Sequence, residues 1–306
     1  MKRAQTTLAS TRFEKYTKTT RRAQFLAEMD LVVPWQALCA RIKPVYRKAG
    51  NGRPPVGVER MLWFNLSDPA VEEALYDSPT LRAFVGIDLG QEPVQDETTV
   101  CKFRHLLEQH DLGRVLFDEV TQHQRAQGLA VSTGTIVDAT IIAAPSSTKN
   151  ATGTRDPAMH QTQKGRQWYF GMKGHFGVDS QNKLIHSVEV TPANIHDSHV
   201  LPWLLHGAER RVWGDSAYAG QAGVPSVCAP YPRDFTHRRA ASRATNRWKS
   251  RIRARVEHPI GVIKRVFGFT KVCYRGLAKN RHRLVIACAL ANLFMVRRRL
   301  LRLQEA

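Results

Sequence analysis

Between Gly134 and Thr191 three runs rich in β-branched and aromatic residues follow one another: GTIVDATIIA, WYFGMKGHFGVDS and KLIHSVEVT. This density of strand formers commits the centre of the chain to a sheet. Asp179-Ser180-Gln181-Asn182 supplies a turn between the last two runs, so they read as a hairpin. A helix is expected in HDSHVLPWLLHGA and a short strand in RRVWGDS, ending at Asp215. From Trp248 the period becomes helical, with Trp248, Ile252, Val256, Ile260, Ile263 and Phe267 on one stripe. Leu284 to Val296 is apolar nearly all round, interrupted by Asn292, and is too short to span a bilayer.

Residues 1 to about 125 read as helical. RAQFLAEMDLVVPWQALCARI spaces its apolar residues by three and four, SDPAVEEALYDSPTLRAFVGI opens on a capping serine, Ser67, and Asp96 starts a further helix. Gly50 to Pro55 is a turn-rich break. Three strands, a helix, a strand and then helices is the element order of an RNase H-like domain. The fold class expected is therefore mixed α/β, with an RNase H-like core, a helical N-terminal domain and C-terminal helices. The boundaries read as 1–128, 129–275 and 276–306.

Charge is distributed unevenly along this frame. The chain carries 46 Lys and Arg against 26 Asp and Glu, a net +20. Residues 1–60 hold +9, residues 61–232 hold −6, and residues 233–306 hold +17. Cationic ends around an acidic middle suit a polyanion, and nucleic acid is the partner favoured. Five cysteines with no C-x-x-C pair suggest neither a disulfide framework nor a zinc cluster. The N-terminus lacks the apolar stretch of a signal peptide, which places the protein in the cytoplasm.

Three acids stand out against this background. Asp138 lies among Ile136, Val137, Ile141 and Ile142, where a lone charge costs several kcal/mol, roughly, unless a salt bridge or a metal satisfies it. Asp215 follows a strand, where side chains reach a cleft at the sheet edge. Glu257 is the single acid among nineteen Lys and Arg between Phe235 and Gln304. On a continuous helix it shares a face with Arg253 and Lys264, either as a surface ion pair or as part of a site. Pro259 predicts a kink beside it. His196, Asp197 and His199 read as capping and packing residues rather than metal ligands, and Asp179 reads as a turn residue. Trp168, Tyr169 and Phe170 read as core side chains rather than base-stacking groups.

The blocks IVDATIIAAPSSTKN, WYFGMKGHFGVDS, LIHSVEVTPANIHDS, VWGDSAYAG, RVEHPIGVIKRVFGFTKVCYRGLAKN and ALANLFM resemble bacterial insertion-sequence transposases of the DDE type, in the group of the IS-five elements. The likeness runs from about residue 53 to the C-terminus. It implies Asp138, Asp215 and Glu257 as catalytic, metal-binding acids, holding two Mg²⁺ ions for which Mn²⁺ can substitute. The family's last block places Tyr, Arg, Glu and Lys with two, three and six residues between them. Arg253, Glu257 and Lys264 fit it, while Ser250 replaces the tyrosine. The resemblance further implies cutting of insertion-sequence ends and joining of the 3′-hydroxyl to target DNA. Arg253 and Lys264 would contact the DNA backbone. The partners implied are double-stranded DNA, as terminal inverted repeats and target, and a second copy of the chain, with no membrane. The N-terminal region would bind DNA and the protein would lie with the nucleoid. Shortened sequence at Met61–Phe64 and Arg239–Thr245 suggests internal deletions. The alternatives are an impaired transposase acting only as a DNA-binding protein or repressor, and a different nuclease on the same fold.

Overall fold

The computed structural model describes residues 19–48, 55–62, 68–129, 133–218 and 240–305. The cap at Ser67, Trp63 and Phe64 at the first shortened stretch, Arg239 at the second, and most of the Gly50–Pro55 break lie outside the described residues. The chain divides into two compact units, one comprising Met1–Leu112 with Arg297–Ala306 and the other Gly113–Val296.

Among the described residues the secondary structure of the first unit is helical, as the periodicity predicts. Helix α1 (Arg21–Val32) begins where the Thr20 hydroxyl accepts from the Ala23 amide, and it buries Leu26, Met29 and Val32. The helical run is broken before Pro34, because the residue preceding a proline is pushed out of helical geometry; Val33 is extended. Helix α2 (Trp35–Ile42) then buries Leu38, Cys39 and Ile42. Short helices α3 (Val58–Leu62), α4 (Asp68–Asp77) and α5 (Pro79–Val85) follow, the last pair parted by Pro79. Helix α6 (Glu97–Gln109) starts at Asp96, whose carboxylate accepts from the Thr99 amide at 2.7 Å. Arg60 ties this unit together, reaching Glu92 at 2.7 Å and the Gly86 carbonyl at 2.6 Å.

The second unit holds the sheet. After helix α7 (Leu112–Ala126) come strands β1 (Gly134–Ala143), β2 (His160–Lys164), β3 (Gln167–Asp179) and β4 (Ile185–Pro192). A 3₁₀ turn (Asp197–Val200) and helix α8 (Leu201–Leu204) lead to β5 (Arg211–Trp213). Helix α9 (Ala240–Arg253), a second 3₁₀ turn (Ala254–Val256), helix α10 (Glu257–Arg265) and the long helix α11 (Leu277–Glu305) complete the order.

Strand β3 pairs antiparallel with β1, β2 and β4, whereas β5 lies parallel to β1. An antiparallel trio with a parallel strand beside the first is the arrangement of an RNase H-like core. Strand β1 is apolar on both faces because both faces are covered. On the Val137 side sit Val200, Leu201, Leu204, Val212 and Tyr218. Gly177 makes that layer possible: a Cβ there would stand 2.3 Å from the Leu204 carbonyl oxygen. On the other side α11 approaches so closely that a Cβ on Gly174 would meet Leu284 at 2.9 Å.

Two asparagines fix α11 to its surroundings. Asn292 is buried, accepts from the Ile185 amide at 2.9 Å and donates to the Ile185 carbonyl at 2.7 Å. The polar break in the apolar run is thus a clamp on the start of β4. Asn280 accepts from the amides of Cys273 and Tyr274 and donates to the carbonyls of Tyr274 and Gly276, so all four of its hydrogen-bonding positions are used.

Candidate active site

Parallel pairing of β1 with β5 matches Gly134 with Arg211, Thr135 with Val212 and Ile136 with Trp213. Two residues beyond the last pair lie Asp138 and Asp215, and the same register carries them side by side. Asp215 also opens a one-turn 3₁₀ helix (Ser216–Tyr218), its carboxylate accepting from the Ala217 amide at 3.0 Å. Trp213 is buried and meets the Trp248 ring edge-on at 6.5 Å, which brings the last turns of α9 to this end of the sheet.

The α9 to α10 junction carries Glu257. Pro259 has no amide to give, so the helix expected through Trp248 to Phe267 breaks into α9, a 3₁₀ turn and α10. Glu257 is the first residue of α10 and is exposed. The Arg255 guanidinium holds the turn by donating to the Ser180 carbonyl at 2.6 Å.

Of the two placements the sequence leaves open for Arg253, a surface ion pair or part of a site, the structure has the side chain beside two of the acids. Its Nη2 stands 3.7 Å from Asp138 Oδ1 and 3.7 Å from Asp215 Oδ2. Both distances exceed hydrogen-bond range, so this is a cation between two carboxylates rather than a bidentate fork. Lys264 also turns inward, donating to Thr140 Oγ1 at 2.6 Å and to the Ile141 carbonyl at 3.3 Å. It thereby braces α10 against the strand that carries Asp138. Burial pulls the Lys264 ammonium below its usual range.

Burial pushes the Asp138 carboxyl up to about 6; Arg253 and the Ala139 amide pull it down, while Asp215 and Glu257 push it further up. Asp138 thus feels both other acids, and its carboxyl stays raised even with Arg253 beside it. Hard oxygen donors with a charge deficit suit a divalent cation such as Mg²⁺. Among the described residues no three carboxylate, imidazole or thiol groups already enclose one. The donor chemistry fits, while Arg253 stands beside both aspartates and Glu257 is exposed.

The chemistry of the remaining candidates is structural. His196 caps the first 3₁₀ turn and Asp197 pairs with Lys173 at 2.8 Å. Asp179 accepts from the Gln181 and Asn182 amides as a turn residue. Tyr218 carries no sequence signal of its own beyond its place in the block VWGDSAYAG. It is fully buried, its hydroxyl has no hydrogen-bond partner among the described residues, and burial followed by the charges of Asp197, Asp138 and Asp215 holds its phenol strongly protonated. It belongs to the apolar layer on the Val137 side of the sheet.

The family model described as Transposase DDE domain matches residues 130–293, more than half of the chain. The chain belongs to the DDE transposases. A second model, described as Transposase domain (DUF772), matches residues 14–106 of this transposase. No solved structure matches it. All three acids of the transposase lie within the first match. Among the described residues, no helix is long and apolar enough to cross a membrane.

Proposed function

We propose that this protein cuts the ends of an insertion sequence of the IS-five group and joins the freed 3′-hydroxyl to target DNA. One observation carries the reading: two strands distant in sequence bring Asp138 and Asp215 to a single cation, Arg253, at 3.7 Å from each. Asp138, Asp215 and Glu257 would hold two Mg²⁺ ions, which Mn²⁺ can replace. When bound, these ions polarise the phosphodiester and its attacking and leaving oxygens.

The chain's own residues set up that chemistry. Asp138 contributes a carboxylate whose ionisation is unfavourable in the buried site, so it gains most from a cation. Asp215 presents one oxygen to the site while the other holds the Ala217 amide, which fixes its orientation. Arg253 keeps the two aspartates from repelling each other before a cation arrives. Once displaced, it lies beside the reacting phosphate and can pair with it, and Lys264 adds positive charge next to β1. The basic region 1–128 would grip the terminal repeats, 129–275 would perform the chemistry, and the helix of 276–306 would pack on the core. Coordinated cutting of two ends calls for two or more copies on DNA, in the nucleoid of a bacterial cytoplasm.

The test is incubation of purified protein with supercoiled plasmid carrying the flanking element ends, in Mg²⁺ or EDTA, beside Asp215→Ala. Metal-dependent nicking at the ends, absent from the variant and followed by strand transfer, is the expected result. Well-folded protein that binds the ends without cutting them would overturn the reading and leave a DNA-binding repressor.

A further inference from the structure

We infer that the β2–β3 ribbon is an arm that lies in a groove of duplex DNA, with Lys164 and Arg166 on phosphates and Trp168 against the bases. The inference rests on the DNA-cutting reading above and adds a contact site away from the acids.

Strand β3 is longer than the sheet that supports it. Strand β1 pairs with it from Gly171 to Asp179 and β4 from Met172 to Val178, so Gln167 to Tyr169 run past both. These residues pair with β2 instead, Lys164 opposite Gln167, Gln163 opposite Trp168 and Thr162 opposite Tyr169. Gly165, at φ +63°, and Arg166 close the two-residue turn. Gln163 to Trp168 are all exposed, and Trp168 keeps 64% of its surface in water. The expectation that Trp168 fills the core is therefore corrected: the strand outruns the layers that would cover it.

A two-stranded ribbon is marginal by itself, and an exposed Trp ring at its tip gains nothing from burial. The foot of this ribbon is nevertheless well held. Arg155 lies over the Phe170 ring at 5.5 Å, Asp156 accepts from the Gly276 amide at 2.6 Å, and Arg275 donates to Thr152 and Thr154. The structure thus fixes the base and leaves the tip bare.

The composition of the tip selects its partner. No acid occurs between Asp156 and Asp179, while Lys164 enters the turn and Arg166 lies in it. The exposed neighbours are Gln161, Gln163 and Gln167, amides suited to sugar and base edges and poor anchors in lipid. A two-stranded ribbon has the width of a DNA major groove. Phe176 lies opposite Asp138, and Trp168 is eight residues further along the same strand. At about 3.3 Å per residue the ring stands roughly 25 Å from the acids, a span of about seven base pairs at about 3.4 Å each.

Hydroxyl-radical footprinting on a labelled duplex carrying one element end, in EDTA, tests this with wild type and a Lys164→Ala/Arg166→Ala/Trp168→Ala variant. The variant should lose one patch of protection, about seven base pairs from the cleavage site, and keep the rest of the footprint. Its affinity should fall about tenfold and its log–log salt slope should become shallower by about 2, the release expected from two lost phosphate contacts. Trp168→Phe should retain the patch, which separates ring contact from simple misfolding. Footprints and affinities identical to wild type would overturn the arm while leaving the catalytic reading intact, and so would a variant altered only in self-association. A wild type that leaves no footprint would overturn both.

Discussion

Asp138→Asn should make the metal-free protein more stable at neutral pH, although it removes a central group of the site. Asp138 is 20% exposed, and its carboxyl titrates at about 6 in the fold against an ordinary 3.8. A carboxyl raised in this way binds its proton more tightly in the native state than in the unfolded one. The favourable contribution is full below pH 3.8 and is lost as pH rises through about 6. The whole difference corresponds to about 3 kcal/mol. The attraction of Arg253 is already included, since it is one of the influences that set the value near 6. An asparagine behaves like the permanently protonated acid and can still accept from the Ala139 amide. The stability difference between variant and wild type should therefore be near zero around pH 4, widen through pH 6, and stay level above it. Urea unfolding in EDTA at a series of pH values measures this directly. Excess Mg²⁺ should narrow or reverse the difference, because only the wild type gains from binding the ion. A variant less stable than wild type at pH 8, or a difference that shrinks as pH rises, would refute the argument.

Asn292→Leu keeps the side-chain volume but strands the amide and carbonyl of Ile185, and should cost about 2 to 4 kcal/mol in urea unfolding. Gly177→Ala drives a methyl to within 2.3 Å of the Leu204 carbonyl oxygen and 2.9 Å of the His186 ring, and should lower the thermal midpoint through a loss of about 2 kcal/mol or more. Asn280→Ala should abolish hydrogen-exchange protection at the Cys273 and Tyr274 amides while the middle of β3 remains protected.

Local sequence reveals the elements whose side chains face a core and fails where a distant partner decides. Strands β1, β3 and β4 were legible because Ile136, Val137, Met172, Phe176 and Val188 are buried apolar residues in strand-forming runs. Strand β2 was missed: HQTQK has no apolar alternation, since neither of its faces meets a core. The helix expected in HDSHVLPWLLHGA shrinks to a 3₁₀ turn and four helical residues, with Pro202 next to the join and Leu205 already extended. The three acids could be picked out by their surroundings, but not the inward turn of Arg253 and Lys264. Helical spacing placed both on a face with Glu257; the 3₁₀ turn at Ala254–Val256 separates Arg253 from that face, while Lys264 stays on the helix of Glu257 and reaches Thr140 on β1. Asn292 looked like a flaw in an apolar run because its partner, Ile185, is far away in sequence.

The site depends on only three residues of parallel pairing, Gly134–Ile136 with Arg211–Trp213. Nothing local can form that pairing, because β2, β3 and β4 all lie between its two strands in sequence. Asp138 thus leaves the ribosome long before it meets Asp215, and Glu257 follows later still. A chain interrupted during synthesis before Glu257 would carry the basic N-terminal sequence without a complete set of acids. On the function proposed above, such a chain would keep the N-terminal region proposed to grip DNA and lack one of the acids proposed to cut it, so the strand order places completion of the site last in synthesis.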